Sequence, residues 1–306
     1  MSLWPRSDRP LRRALVKLAC RLLGNDRAHF HSWLPSLTIV GRTQEHPGVV
    51  LFRRRKLLEL AFIDALRLRA SQRIVIVGSG PSINDADLSV LPPHSAILLN
   101  GAIHLIGAGV AEPLAVAIED ERFIWRHFDL VRDQLGPDTL LLLAPGVIRA
   151  LCDIDPHWLP GRTVILIDDI RKPYGAARRS FDDLLDLDFA VLSLDERTGF
   201  SIDPDKGVFQ GGSVAISALQ FAIAAGAAEI GFVGVDIANA DSPRFYEQDG
   251  AMAFSGIAGA EARILAHIAL ANAYAGQHGI RLVNHSTLSA LASIGLPYQS
   301  LVDQSA

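Results

Sequence analysis

Two short glycine-bearing turns and two residues at strand ends carry the chemistry legible in this chain. The first turn, Gly78-Ser79-Gly80-Pro81-Ser82, follows the apolar run Arg73–Val77. Glycine admits a ligand close to the main chain, and Pro81 and Ser82 suit the opening of a helix, whose unpaired N–H groups attract phosphate. The second turn, Gly211-Gly212-Ser213, opens the apolar stretch Val214–Ala225, and Asp236 ends a later run at Gly234-Val235-Asp236. N–H groups near Gly212 and Ser213 can hold a phosphate or carboxylate, and Asp236 can bind sugar hydroxyls. The alternative is that the glycines only permit close packing and Asp236 caps a turn. Asn100 ends another apolar run, where an amide can face the crevice above a sheet or merely serve the turn.

Other chemistry-bearing residues have competing readings. Tyr246 lies in the polar stretch 238–250 with Asp241, Arg244, Glu247 and Asp249. This loop either closes over substrate, with Tyr246 bonding a leaving phosphate, or simply connects. His285, in Asn284-His285-Ser286, is the better exposed base candidate. His267, flanked by apolar residues, reads as core. Glu119-Asp120 reads as a solvent-facing turn and Asp168-Asp169 as a loop. Arg171, Lys172, Arg178 and Arg179 surround Tyr174 and either clamp an anion or form a mobile surface loop.

The elements that must position these groups are an alternation of strands and helices. Strand candidates are 73–77, 95–99, 113–118, 140–143, 164–167, 229–235 and 279–283, with helices at 214–225 and 261–275. The fold class is α/β: a Rossmann-like, mostly parallel sheet with helices on both faces, plus an N-terminal helical extension. Residues 1–70 form that extension and 71–306 the nucleotide-binding body. Two helices are expected in the extension, over Pro10–Leu23 and Leu57–Leu68.

Charge divides the chain at the same place. Of 306 residues, the first seventy hold 14 Lys/Arg against 5 Asp/Glu, and the remainder 15 against 28. The basic part suits an anionic membrane surface, and the acidic body argues against a general nucleic-acid binder. Two distant cysteines, Cys20 and Cys152, make neither a disulfide scaffold nor a zinc site. No clean signal peptide or spanning segment is present, so a cytoplasmic protein is expected, peripheral on the inner face of the membrane where its basic helix binds.

Val77-Gly78-Ser79-Gly80-Pro81-Ser82, Leu99-Asn100, Gly211-Gly212-Ser213-Val214, Gly234-Val235-Asp236-Ile237 and Asn284-His285-Ser286 together resemble bacterial sialyltransferases that modify lipo-oligosaccharide. Related flagellin-glycosylating and DUF115-type proteins share this resemblance, which spans about residues 73–290. It implies a Rossmann-like domain, a CMP-sugar donor substrate and no required cofactor or metal. Asn100 matches a donor-contacting asparagine, Ser213 lies near a phosphate- or sugar-contacting serine, and Tyr246 falls near a tyrosine that helps the phosphate leave. Ser79 stands where the family has an asparagine. The family's base histidine has no counterpart, because no histidine occurs from Ile237 to Ala266.

The implied reaction transfers a nonulosonic or ketodeoxy sugar from CMP to a carbohydrate or glycolipid, with His285 or Asp236 assisting proton removal. A pterin-kinase-type pyrophosphoryl transfer with ATP and magnesium, using Glu119, Asp120 and Asp236, is the alternative enzyme. A non-catalytic nucleotide-sugar binder is the third reading, and a homo-oligomer stays open.

Overall fold

The computed structural model describes residues 15–16, 18–20, 29–41, 46–193, 198–237, 244–246 and 259–302. Its centre is a seven-stranded sheet of β4 (Arg73–Val77), β5 (Ala96–Leu99), β6 (Ala115–Ile118), β7 (Leu141–Leu143), β8 (Val164–Leu166), β11 (Glu229–Val233) and β12 (Arg281–Asn284). The order across the sheet is β12-β11-β4-β5-β6-β7-β8, and every neighbouring pair is parallel. Parallel strands covered on both faces need side chains that are apolar on both sides. Ile-Val-Ile-Val in β4, Ala-Ile-Leu-Leu in β5 and Ala-Val-Ala-Ile in β6 meet that need, and all are buried.

The chain moves outward from β4 to β8, then returns to β11 beside β4 and ends at β12. Right-handed crossovers put connections made in opposite directions on opposite faces. Helices Glu121–Gln134 and Pro145–Ile154 therefore cover one face, while Val214–Ala224 and Glu261–Gln277 cover the other. The reversal between β4 and β11 creates a switch point, so the turns leaving those two strands meet at the carboxyl edge.

The expected α/β class holds, and two local expectations are corrected. The segment after Gly80 is a 3-10 helix of only five residues, Pro81–Asp85, followed by another at Leu88–Val90. It is too short to build the dipole of a full helix. The stretch 57–68 is not one helix. It contributes to β3 (Arg55–Glu59), the last strand of an antiparallel sheet with β1 (Leu37–Val40) and β2 (Val49–Phe52), and then to a single turn at Asp64–Arg67. Pairing with β2 overrides its helical spacing. Leu37, Ile39, Val50, Phe52, Leu58, Leu60 and Leu66 join the same core as the central sheet. The Ala61 N–H donates to Val164 O, the first residue of β8, at 2.8 Å. Finally, β9 (Ala190–Leu192) and β10 (Gly199–Ser201) form a small antiparallel pair that apolar spacing did not single out.

Most of the Pro10–Leu23 segment lies outside the described residues. Of those described, Leu15 and Leu18 are helical and exposed. Among the described residues no helix is long and apolar enough to cross a membrane.

Candidate functional site

The first glycine turn is filled by the protein itself. Gly80 N–H donates to Gly234 O at 2.8 Å, continuing the β4–β11 ladder into the two turns. A Cβ on Gly78 would overlap Gly234 O, and one on Gly80 would overlap the Asp236 carboxylate. Asp236 is 8% exposed. Its Oδ2 accepts from Ser82 N–H at 2.8 Å and its Oδ1 from Ser82 Oγ–H at 2.5 Å. The expected open phosphate cradle is thus corrected. The N–H of Ser82 is occupied by a built-in anion, and the glycines make room for a second turn of the same chain. Asp236, expected to face sugar hydroxyls, is buried and holds the Pro81 turn in place.

The second turn is more open. Gln220, wholly buried, accepts from the N–H groups of Ser201 and Phe209 at 2.8 and 2.9 Å, and donates to Phe209 O at 2.9 Å. This clamp delivers Gly211–Ser213 to the start of the helix Val214–Ala224. Gly212 has φ 103° and is exposed, a backbone suited to glycine. Ser213 caps the helix by accepting from Ala215 N–H at 3.3 Å. The exposed Arg263 lies against Gly212 and donates from Nε to Gly211 O at 2.8 Å. A guanidinium and a helix start therefore share one turn.

Both turns stand on the carboxyl edge of the sheet. Ser217, one turn into that helix, lies beside Glu119 at the end of β6. β6 is two strand spacings from β4, about 10 Å. Glu119 was expected in a solvent-facing turn, yet burial pushes its carboxyl up to about 7, with nearby Asp169 adding to the rise. The Ser217 hydroxyl is close enough to lower that value somewhat, but neither Ser217 Oγ nor Glu119 Oε1 completes a hydrogen bond among the described residues.

Asp168 and Asp169 are also drawn inward, and burial pushes Asp168 up to about 7. Asp168 accepts from Tyr174 N–H at 3.0 Å and Asp169 from Arg171 N–H at 2.9 Å. The basic loop is consequently knitted to the body, with Arg179 donating to Ile170 O at 2.8 Å and Tyr174 Oη to Leu37 O at 3.0 Å.

Between these features the chain leaves β5 at Asn100. Asn100 takes a left-handed backbone, φ 43°, and its Oδ1 is buried with no hydrogen-bond partner among the described residues. Tyr246 packs on the next residue, Gly101, where a Cβ would collide with its ring. Arg244 Nη1 donates to Tyr246 Oη at 2.9 Å, and Phe245 N–H donates to Ser79 O at 3.3 Å. The segment 244–246 thereby joins Ser79 to the end of β5. Asp241, Glu247 and Asp249 lie outside the described residues. His104 stacks on Tyr246 with centroids 4.6 Å apart, and His127 meets the same ring edge-on at 6.3 Å. Burial holds His104 below the usual imidazole range. Its only cue in the sequence is its place four residues after Asn100.

His285 is not the exposed base expected. It is 3% exposed and its ring lies over Gly231, within the sheet. Nδ1 is 2.7 Å from Gln299 O and Nε2 is 3.3 Å from an Arg73 nitrogen. Arg73 begins β4, so the imidazole points toward the amino edge, away from the carboxyl edge where the two glycine turns stand. Burial lowers its pKa. His267 is buried as expected, with Nδ1 2.7 Å from Gly199 O. The three carboxylates considered for an ion do not converge. Asp120 caps the helix Glu121–Gln134 and pairs with Arg122 at 2.7 Å, Asp236 is tied to Ser82, and Glu119 faces Ser217.

No family model matches this chain, and no curated protein does. Two solved structures are similar to it, both of the sialyltransferase CstII from Campylobacter jejuni. The one in complex with a substrate analogue, cytidine-5'-monophosphate, is 17% identical with a TM-score of 0.38. The one in complex with CMP-3FNeuAc is 15% identical with a TM-score of 0.42; each comparison covers 74% of this chain and 86% of the other.

Proposed function

We propose that this chain is a glycosyltransferase that moves a nonulosonic or ketodeoxy sugar from a CMP-activated donor to a carbohydrate hydroxyl. The observation that carries the reading is Asn100. A buried carbonyl oxygen without a partner costs about 1–3 kcal/mol. A donor group on a bound nucleotide, such as a cytosine amino group or a ribose hydroxyl, would satisfy Oδ1 where it stands. The sequence resemblance assigns the matching asparagine the same kind of contact.

In the reaction the acceptor oxygen forms a bond to the anomeric carbon. The bond from that carbon to the phosphate oxygen breaks, and its electron pair leaves with CMP. Tyr246 is polarised by the guanidinium donating to its oxygen, which strengthens the phenol as a donor to the departing phosphate. Gly212, Ser213 and Arg263 offer a further anion contact. The acceptor proton passes to a ring nitrogen of His104. Its imidazole is half-buried against Tyr246 and held neutral to lower pH than usual.

The test is calorimetric binding of CMP, CMP-sugars and ATP with magnesium, together with CMP release in the presence of a carbohydrate acceptor panel. CMP-sugars bind, CMP is released, and Asn100→Ala weakens binding tenfold or more, about 1.4 kcal/mol. His104→Gln leaves donor binding intact, lowers kcat and removes the acidic limb of the pH profile. ATP binding without CMP binding would replace this reading with phosphoryl chemistry. Binding without turnover would make the chain a nucleotide-sugar binder.

A further inference from the structure

The antiparallel sheet of β1, β2 and β3 carries a pocket of its own. β2 and β3 are joined by a two-residue turn, with Phe52 paired to Arg55. The turn residues are Arg53 at φ 50° and Arg54 at φ 66°. Two successive left-handed residues match the twist of a hairpin, and asparagine, aspartate and glycine adopt them at least cost. Arginine has no short side chain to stabilise that backbone, so both positions go against local preference. Residues that break a local rule together concentrate at functional sites.

Ser36 stands opposite, also left-handed at φ 78°, and its carbonyl accepts from Arg53 N–H at 2.7 Å. Ser36, Thr38, Leu51, Arg53 and Arg54 line an open pocket of about 560 Å³. Thr38 pairs with Leu51 across β1 and β2, and points outward while Leu37 and Ile39 point into the core. Arg53, Arg54, Arg55 and Lys56 are exposed. Lys56 pairs with Glu59 at 2.5 Å. None of the three arginines has a carboxylate partner among the described residues. The Arg53 guanidinium instead rests 5.1 Å from the ring centroid of Phe52, which is buried and orients it.

We infer that this pocket binds phosphate groups, with Arg53 and Arg54 supplying charge and the Ser36 and Thr38 hydroxyls neutral donors. Guanidinium groups suit phosphate because their forked N–H groups match two of its oxygens. Such a phosphate can come from a lipid headgroup or from a soluble phosphate ester, and the site does not depend on the glycosyltransferase reading.

The experiment uses the full chain and the paired substitution Arg53→Asn with Arg54→Gly. These residues suit the turn, so the variant folds and melts higher than the parent. The probes are inorganic phosphate and glycerol 3-phosphate by calorimetry, and phosphatidylglycerol–phosphatidylcholine vesicles against phosphatidylcholine alone by sedimentation. The parent binds at least one phosphate probe and the variant binds it at least tenfold more weakly. Retention on the anionic vesicles that glycerol 3-phosphate does not compete away identifies a lipid source. Competition at comparable concentrations identifies a soluble one. Equal binding by parent and variant, or no phosphate binding by the parent, overturns the assignment. Vesicle binding carried by the basic residues before Phe30 would survive the substitution and so count against the pocket.

Discussion

Gly78–Ser82 and Gly211–Ser213 read alike as glycine-bearing turns entering a helix, yet they do opposite things. The first is closed by its own chain, with Gly234 O against Gly78 and the Asp236 carboxylate across Ser82. The second has an exposed glycine at φ 103°, a capping serine and the guanidinium of Arg263. Glycine permits close approach without specifying what approaches. At the switch point the approaching group is another turn, and at the helix start it is a cation that an anion can join. The difference shifts the expected binding centre away from β4, toward Asn100 at the end of β5 and Glu119 at the end of β6.

Four measurements break or sharpen this contrast. Gly78→Ala forces a methyl into backbone that cannot step aside, so it costs about 3 kcal/mol in denaturant titration. A near-neutral result would mean that the two turns are not locked together.

Glu119→Gln comes next. The carboxyl's folded value is about 7 against an ordinary 4.5, so the folded protein holds more protons between those values. Its contribution is present below about pH 4.5 and is lost as pH rises through 7. The substitution removes that loss and stabilises the protein at pH 8 by about 3 kcal/mol, while Asp168 leaves a residual slope of the same sign. A pH–stability curve unchanged by Glu119→Gln would show that the acid is not held neutral by burial.

Asp236→Asn removes the charge that Ser82 donates to and costs about 1–2 kcal/mol. Loss of nucleotide affinity with unchanged stability would return Asp236 to the role of a ligand contact. Arg263→Ala gives the smallest change in stability, within about 0.5 kcal/mol for an exposed side chain. It nevertheless weakens CMP binding about tenfold, and equal affinity would leave the second turn as closed to ligand as the first.

The central sheet was legible because fully buried parallel strands must be apolar on both faces, and runs such as Ile74–Val77 and Leu140–Leu143 have no other economical place in a folded chain. The long helices beginning at Val214 and Glu261 were legible for a similar reason. The strand Arg55–Glu59 was not, because its apolar spacing also suits a helix and only pairing with β2 separates the two. The position of His285 was legible as a strand end, but its direction was not, since the Asn284 backbone does not say which edge the next ring will face.

The residues alone determined the parallel α/β body, the strand-end placement of Asn100 and the helix start at Ser213, all of which follow from local apolar pattern and turn chemistry. Tertiary structure decided which groups meet: Asp236 with Ser82, Tyr246 with Gly101 and His104, Glu119 with Ser217. Those meetings join parts of the chain up to 154 residues apart, as Ser82 and Asp236 are. Whether a polar side chain ends buried, paired or open depends on the partner that the sheet order brings beside it.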